Sequence, residues 1–278
     1  MSESPCWWQW PTILSLDAPA VSLLWQALLA RVAAVPLRWP QVSVLGASVW
    51  LAYAADRWIE GRRLDWRDVR TQRLHFYQRR RRPVAMIWLV IFAADVGVAF
   101  TQLSWRELAS GALLLALVLV YLLSHQLVHR HLRWRVPKEL CVAALLTGGV
   151  WLFLMPTRQA SDLTTAMVLF ALLCFTNCAL ISRWERDVDL AHGQRSLALD
   201  ASENAWVIRQ FPLMIAVLAV AVSAANDPPL RVAGACALAS AMLLAVVDQF
   251  EPRMGWRAAR VLADVVLMTP AIALLWIK

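Results

Sequence analysis

Long apolar blocks alternate with short charged connectors along the whole chain. They cover about nine segments: 18–35, 41–59, 84–101, 108–127, 137–155, 163–183, 206–224, 230–248 and 258–277. Each is near the roughly 20 residues that cross a hydrocarbon core about 30 Å thick. Pro36 and Pro40, Pro83, Pro137, Pro156 and the Pro228-Pro229 pair punctuate the breaks, as residues that stop helices do. The strict alternation of a β-barrel, in strands of about ten residues, is absent. The pattern predicts an all-α integral membrane protein, one polytopic transmembrane domain over 1–278, with no soluble domain and no low-complexity linker.

Composition sharpens this. Of 278 residues, 60% are hydrophobic and 17% charged, with a mean hydropathy of +0.55, against about 45–50% and about 25% in soluble domains. The net charge of +8 is not a nucleic-acid footprint, because the basic residues gather in alternate connectors. Those are 60–82 (Arg62, Arg63, Arg67, Arg70, Arg73 and Arg79 to Arg82), 130–138, the stretch with Arg186 and Arg195, and the stretch with Arg253 and Arg257. The intervening connectors carry isolated arginines such as Arg38, Arg106, Arg158 and Arg231. Positive charge on the cytoplasmic side then places the N-terminus in the cytoplasm and the C-terminus across the membrane. Trp7, Trp8 and Trp10 suggest an interfacial opening segment, and Trp39, Trp58, Trp88, Trp105, Trp134, Trp184, Trp256 and Trp276 fit an aromatic belt at span ends. Lipid-facing packing accounts for some of these equally well. The start lacks the basic n-region of a secretory signal. Five cysteines show no disulfide spacing, and Cys174 and Cys178, one turn apart, read as small buried hydrophobes rather than metal ligands. Usage rich in Ala, Leu and Arg points to a bacterial plasma membrane.

Two acidic clusters stand at block ends, Asp56-Arg57-Trp58-Ile59-Glu60 and Glu185-Arg186-Asp187-Val188-Asp189. In each, two carboxylates four residues apart share a helix face about 6 Å apart along the axis. Both clusters face the cytoplasm on the orientation above. Two such pairs aimed at each other can hold a divalent cation against a diphosphate, since Mg²⁺ prefers oxygen ligands and bridges one or two carboxylates to phosphates. Helix-end salt bridging, such as Asp56 with Arg57 or Asp187 with Arg186, is the plainer alternative.

The layout resembles the UbiA superfamily of intramembrane prenyltransferases, which have nine transmembrane helices and aspartate-rich motifs after the second and sixth. The first family motif, N-D-x-x-D-x-x-x-D with a later Arg-Pro pair, is matched in part by Ala52-Tyr53-Ala54-Ala55-Asp56-Arg57-Trp58-Ile59-Glu60 and by Arg82-Pro83. The second, D-x-x-x-D followed by G-x-x-[ST]-L, is similar to Glu185 to Asp189 followed by Gly193-Gln194-Arg195-Ser196-Leu197. Ala52 and Tyr53 replace the family's Asn and first Asp, and Glu60 and Glu185 are longer acids than usual. The resemblance implies an enzyme that moves a prenyl group from a polyprenyl diphosphate to a lipophilic, possibly aromatic, acceptor within the lipid bilayer, with Mg²⁺ as cofactor. It assigns Asp56, Glu60, Glu185 and Asp189 to the metal, with Asp187 as a spare on the opposite helix face. Asp56, Glu60, Glu185 and Asp189 carry catalysis, and Arg57, Arg82 and Lys138 meet the diphosphate.

Two other readings stay open: a non-catalytic isoprenoid-lipid-binding protein of the same build, and a small-molecule transporter. The absence of an inverted repeat counts against the transporter. His125, His129 and His131 read as interfacial polar residues, and Arg79 to Arg82 as an orientation signal or a lipid-headgroup contact. Asp95 and Asp264, inside apolar blocks, either line a cavity or pair locally, and Asn177 shares a face with Glu185.

Overall fold

The computed structural model describes residues 5–65, 69–124, 137–154, 160–194, 196–200, 205–224 and 228–276. His125, His129, His131, Trp134, Arg195 and most of the basic connector 130–138 lie outside these ranges. All regular elements among the described residues are helical. After a 3-10 turn at Trp7–Gln9 come α1 (Trp10–Ile13), α2 (Asp17–Val32), α3 (Trp39–Arg63), α4 (Gln72–Arg79), α5 (Arg81–Gln102), α6 (Trp105–Leu123) and α7 (Lys138–Leu152). The second half holds α8 (Ala160–Trp184), α9 (Arg186–Ala191), α10 (Leu197–Asp200), α11 (Ala205–Ile208), α12 (Phe211–Ser223), α13 (Pro228–Met254), α14 (Trp256–Val266) and α15 (Pro270–Trp276).

Each of the nine predicted blocks falls mainly on helix among the described residues, but the span count does not follow. Among the described residues six helical stretches are long and apolar enough to cross a membrane: 81–102, 105–123, 163–184, 206–223, 230–254 and 256–276. A seventh arises if the opening segment and α2, bent by 78° against each other, count together. The shortfall has a local cause. α3 is 25 residues long, but Asp56, Arg57, Glu60, Arg62 and Arg63 crowd its last three turns. α7 has only 15 residues, beginning Lys138-Glu139. An all-helical chain with several such apolar helices suits a multi-pass membrane protein.

α8 is the central post. Trp25 of α2 is fully buried, stacks on Phe170 of α8 at 5.0 Å, and donates its indole N–H to the Leu267 carbonyl at 2.9 Å. Three distant segments are thereby tied at one point. α12 and α13 approach through small residues, Ala216, Ala219, Ala233 and Ala237, all buried. A Cβ added at Gly234 would sit 2.5 Å from Ser223 Oγ and 3.0 Å from Ser223 N. Such close backbone approach is how helices pack where lipid tails offer no competing hydrophobic drive. By contrast, α5 and α6 bury only one residue each, Val84 and Glu107, and most of their residues are exposed, as on lipid-facing helices.

The tryptophans divide. Trp7, Trp39, Trp105, Trp206 and Trp276 are exposed, whereas Trp184 is buried and donates to Asp248 Oδ1 at 2.9 Å. Arg209 Nε bonds the other oxygen of Asp248 at 3.0 Å, and Arg183 completes the cluster. That indole is a structural donor, not part of a belt.

Candidate functional site

A cavity of about 240 Å³ opens between α2, α3, α6, α7, α8 and α14. Part of its wall is aliphatic, with Leu45, Val49, Leu114, Val118, Leu146 and Ile181, and Asp17, Asn177 and Asp264 add a polar patch. One end is polar. There α3 brings Asp56, Arg57 and Glu60, α7 brings Lys138 and Glu139, and the junction of α8 and α9 brings Glu185 and Asp189. The two acidic clusters, more than a hundred residues apart in sequence, converge on one space.

Every carboxylate in those clusters that faces the cavity has a basic partner. Glu185, buried, accepts from Arg260 Nη1 at 2.7 Å on both oxygens and from Arg73 Nη2 at 3.0 Å. Burial pushes its carboxyl pKa up, with Arg73 pulling against that shift. Asp189 meets Lys138 Nζ at 3.4 Å. Glu60 meets Arg57 Nη1 at 3.3 Å and accepts from the Gln194 amide, with His192 Nδ1 3.9 Å away. Asp56 lies 3.9 Å from the same guanidinium.

The glycine tail of the second motif explains Gln194. Gly193 takes φ +62°, which favours glycine, and ends α9 so that Gln194 N–H returns to the Asp189 carbonyl at 2.8 Å. The chain turns inward there, and Gln194 joins Lys138 (3.3 Å) to Glu60.

Of the residues predicted for this site, Asp56, Arg57, Glu60, Lys138, Glu185 and Asp189 line the cavity, and Arg82 and Asp187 do not. Asp187 is exposed because it lies half a turn from Glu185 and Asp189, and Arg82 is exposed at the start of α5. Asn177 and Asp264 do line the cavity, bonded at 2.8 Å, and Asp17 joins them. Asp95 instead accepts from Ser48 Oγ at 2.8 Å and stays outside.

Sequence reasoning missed Arg73, Glu139, Gln194 and Arg260. Arg73 read as an orientation signal and Glu139 was overshadowed by Lys138. Arg260 did leave a trace, standing one turn before Asp264 on a helix whose only other charge is Arg257, so both face one side.

The donor set bears on the expected Mg²⁺. No three Asp, Glu, His or Cys side chains among the described residues come together as a metal cage. A metal that arrives with phosphate asks for less, one or two carboxylates. At the polar end five carboxyls (Asp56, Glu60, Glu139, Glu185, Asp189) stand against four bases (Arg57, Arg73, Lys138, Arg260). Glu139 Oε2 is buried with no hydrogen-bond partner among the described residues. An incoming diphosphate would raise the excess of negative charge further, so these residues fit a cation carried in with it.

No family model, curated protein or solved structure matches this chain.

Proposed function

We propose that the chain is a UbiA-like membrane prenyltransferase, moving a prenyl group from a polyprenyl diphosphate to a lipophilic acceptor. The observation that carries this reading is the joint cavity, where the two acidic clusters and their bases meet as α3 approaches the α8–α9 junction and an aliphatic stretch with Leu45, Val49, Leu114 and Val118 forms another part of the wall. An amphiphile with an anionic head and an apolar tail has that shape. Asp56, Glu60 and Asp189 would hold Mg²⁺, which when bound supplies positive charge to the departing diphosphate. Arg57, Lys138 and the two arginines on Glu185 would orient the phosphates, as fixed donors that need no rearrangement when charge develops. The aliphatic wall keeps water from the allylic carbon. The proposal counts nine membrane passages by adding α2, α3 and α7 to the six longer apolar stretches, with the N-terminus and both acidic clusters in the cytoplasm of a bacterial cell.

A second reading has an observation of its own. Glu185 is held by two guanidiniums at once, a closed arrangement that suits an isoprenoid-binding protein without transfer. Both readings require binding, so binding is tested first. Purified protein should gain thermal stability with geranylgeranyl diphosphate plus Mg²⁺ and not with geranylgeraniol, since a ligand of the folded state raises apparent stability. Asp56→Asn and Asp189→Asn should each weaken that response at least tenfold. An equal response to the alcohol would sink the reading. Release of diphosphate in the presence of acceptors separates enzyme from binder.

A further inference from the structure

A second, smaller pocket of about 40 Å³ backs onto the polar end of the cavity. That is about three times the 10–15 Å³ one water demands, on the scale of a single tetrahedral oxyanion. Its lining includes Gln9, Thr12, Thr71, Arg73, Arg257 and Arg260, with Glu185 as the acid facing them. Three arginines therefore stand against one carboxylate, which Arg73 and Arg260 already neutralise.

Four of its buried donor atoms lack a hydrogen-bond partner among the described residues. Thr71 is 3% exposed, yet its hydroxyl has no hydrogen-bond partner among the described residues. It occupies the position before α4, where a Thr side chain ordinarily caps the helix, and it makes no such cap. The first intrahelical bond there runs from His75 N–H to the Thr71 carbonyl at 3.2 Å, so the positive end of the helix dipole lies at Thr71. Arg73 Nε and Nη1 and Arg260 Nε are likewise buried without partners among the described residues. Buried donors left unmet are costly, and guanidinium, hydroxyl and helix N-terminus all select the same ligand.

We infer that this pocket is a phosphate-binding site, distinct from the large cavity and sharing Thr12 and the Arg73–Glu185–Arg260 wall with it. The ligand is a phosphate or phosphomonoester dianion, whether free in solution or carried on a lipid headgroup. The inference does not rest on the prenyltransferase reading.

Thr71 and Arg257 line the small pocket and not the large one, so they isolate it. Thermal stability is measured on the full chain in phosphatidylcholine nanodiscs against sodium phosphate, with chloride at matched ionic strength. A second set uses nanodiscs containing dioleoyl phosphatidic acid. The wild type should be stabilised by one of these phosphates. Thr71→Val and Arg257→Gln should each raise the half-saturating concentration at least fivefold, and Thr71→Ser should restore it. A response to sodium phosphate identifies a free anion, and a response only to phosphatidic acid identifies a lipid headgroup. No response to either, or one that both variants keep, overturns the inference. The response of both variants to geranylgeranyl diphosphate with Mg²⁺ should match wild type. Loss of that response in wild type would sink the prenyltransferase reading and leave the phosphate site standing.

Discussion

Arg260→Met removes the shortest contacts in the charged network while keeping most of the side chain's volume. Arg260 Nη1 bonds both oxygens of Glu185 at 2.7 Å, and the two side chains are only 12% and 4% exposed. Stripping one partner from a buried pair costs about 3–5 kcal/mol when a bare charge is left behind. Two features lower that figure here. Glu185 keeps Arg73 at 3.0 Å, and burial already raises its pKa, so protonation caps the penalty. A cost of about 2–3 kcal/mol remains, or roughly 4–8 °C in Tm for a chain of this size. The penalty depends on pH. With Arg260 gone, the folded-state pKa of Glu185 rises further above its unfolded value, so the folded state holds a proton that the unfolded state has released. Stability from that proton is present at low pH and lost as pH rises through the folded pKa. The Tm deficit of Arg260→Met should therefore be small near pH 5 and full near pH 8. Adding Glu185→Gln should recover about 1–2 kcal/mol of it, a coupling of the size contacting residues show. Thermal unfolding in detergent at several pH values measures all of this. A deficit independent of pH, or no recovery in the double variant, refutes the argument.

Two further predictions concern packing. Gly234→Val should separate α12 from α13, because even a Cβ there meets Ser223 at 2.5–3.0 Å; a loss of about 1–3 kcal/mol is expected, read as a lower Tm, and an unchanged Tm would mean that the helices do not approach as described. Trp25→Phe deletes the donor to Leu267 and leaves that carbonyl short of its partner, which should cost about 1–3 kcal/mol; a Tm within about 1 °C of wild type would refute it.

Helix positions were legible because apolar block length is a strong signal, and each of the nine blocks falls mainly on helix among the described residues. The span count was less so. α3 reads as a span from its apolar first half, and only its packing reveals that its charged last turns form the wall of a cavity. Acid pairs were legible through i,i+4 spacing, which put Asp56 with Glu60 and Glu185 with Asp189 on single faces. The same spacing puts Asp187 on the opposite helix face, where it is exposed. The bases were harder. Arg73 sits in a connector dense with arginine, where no local pattern separates one that reaches Glu185 from one that merely orients the chain. Tertiary packing of α4 against α3 and α1 makes that choice, and the sequence near Arg73 carries no trace of it.

The location of the charged network constrains what it can bind. Isolated charges in the middle of an apolar bundle are expensive, but these lie near helix ends and are largely paired, acid against base. A network so balanced has little spare attraction for a simple anion at its centre, since five carboxyls already face four bases. A trianionic diphosphate would enter only with a cation, or by drawing bases away from their carboxylates. The small pocket differs in sign, with three arginines against one acid, and needs no accompanying metal. Chelation should therefore separate the two sites, with EDTA abolishing the diphosphate response of the large cavity while leaving phosphate binding at Thr71 and Arg257 intact.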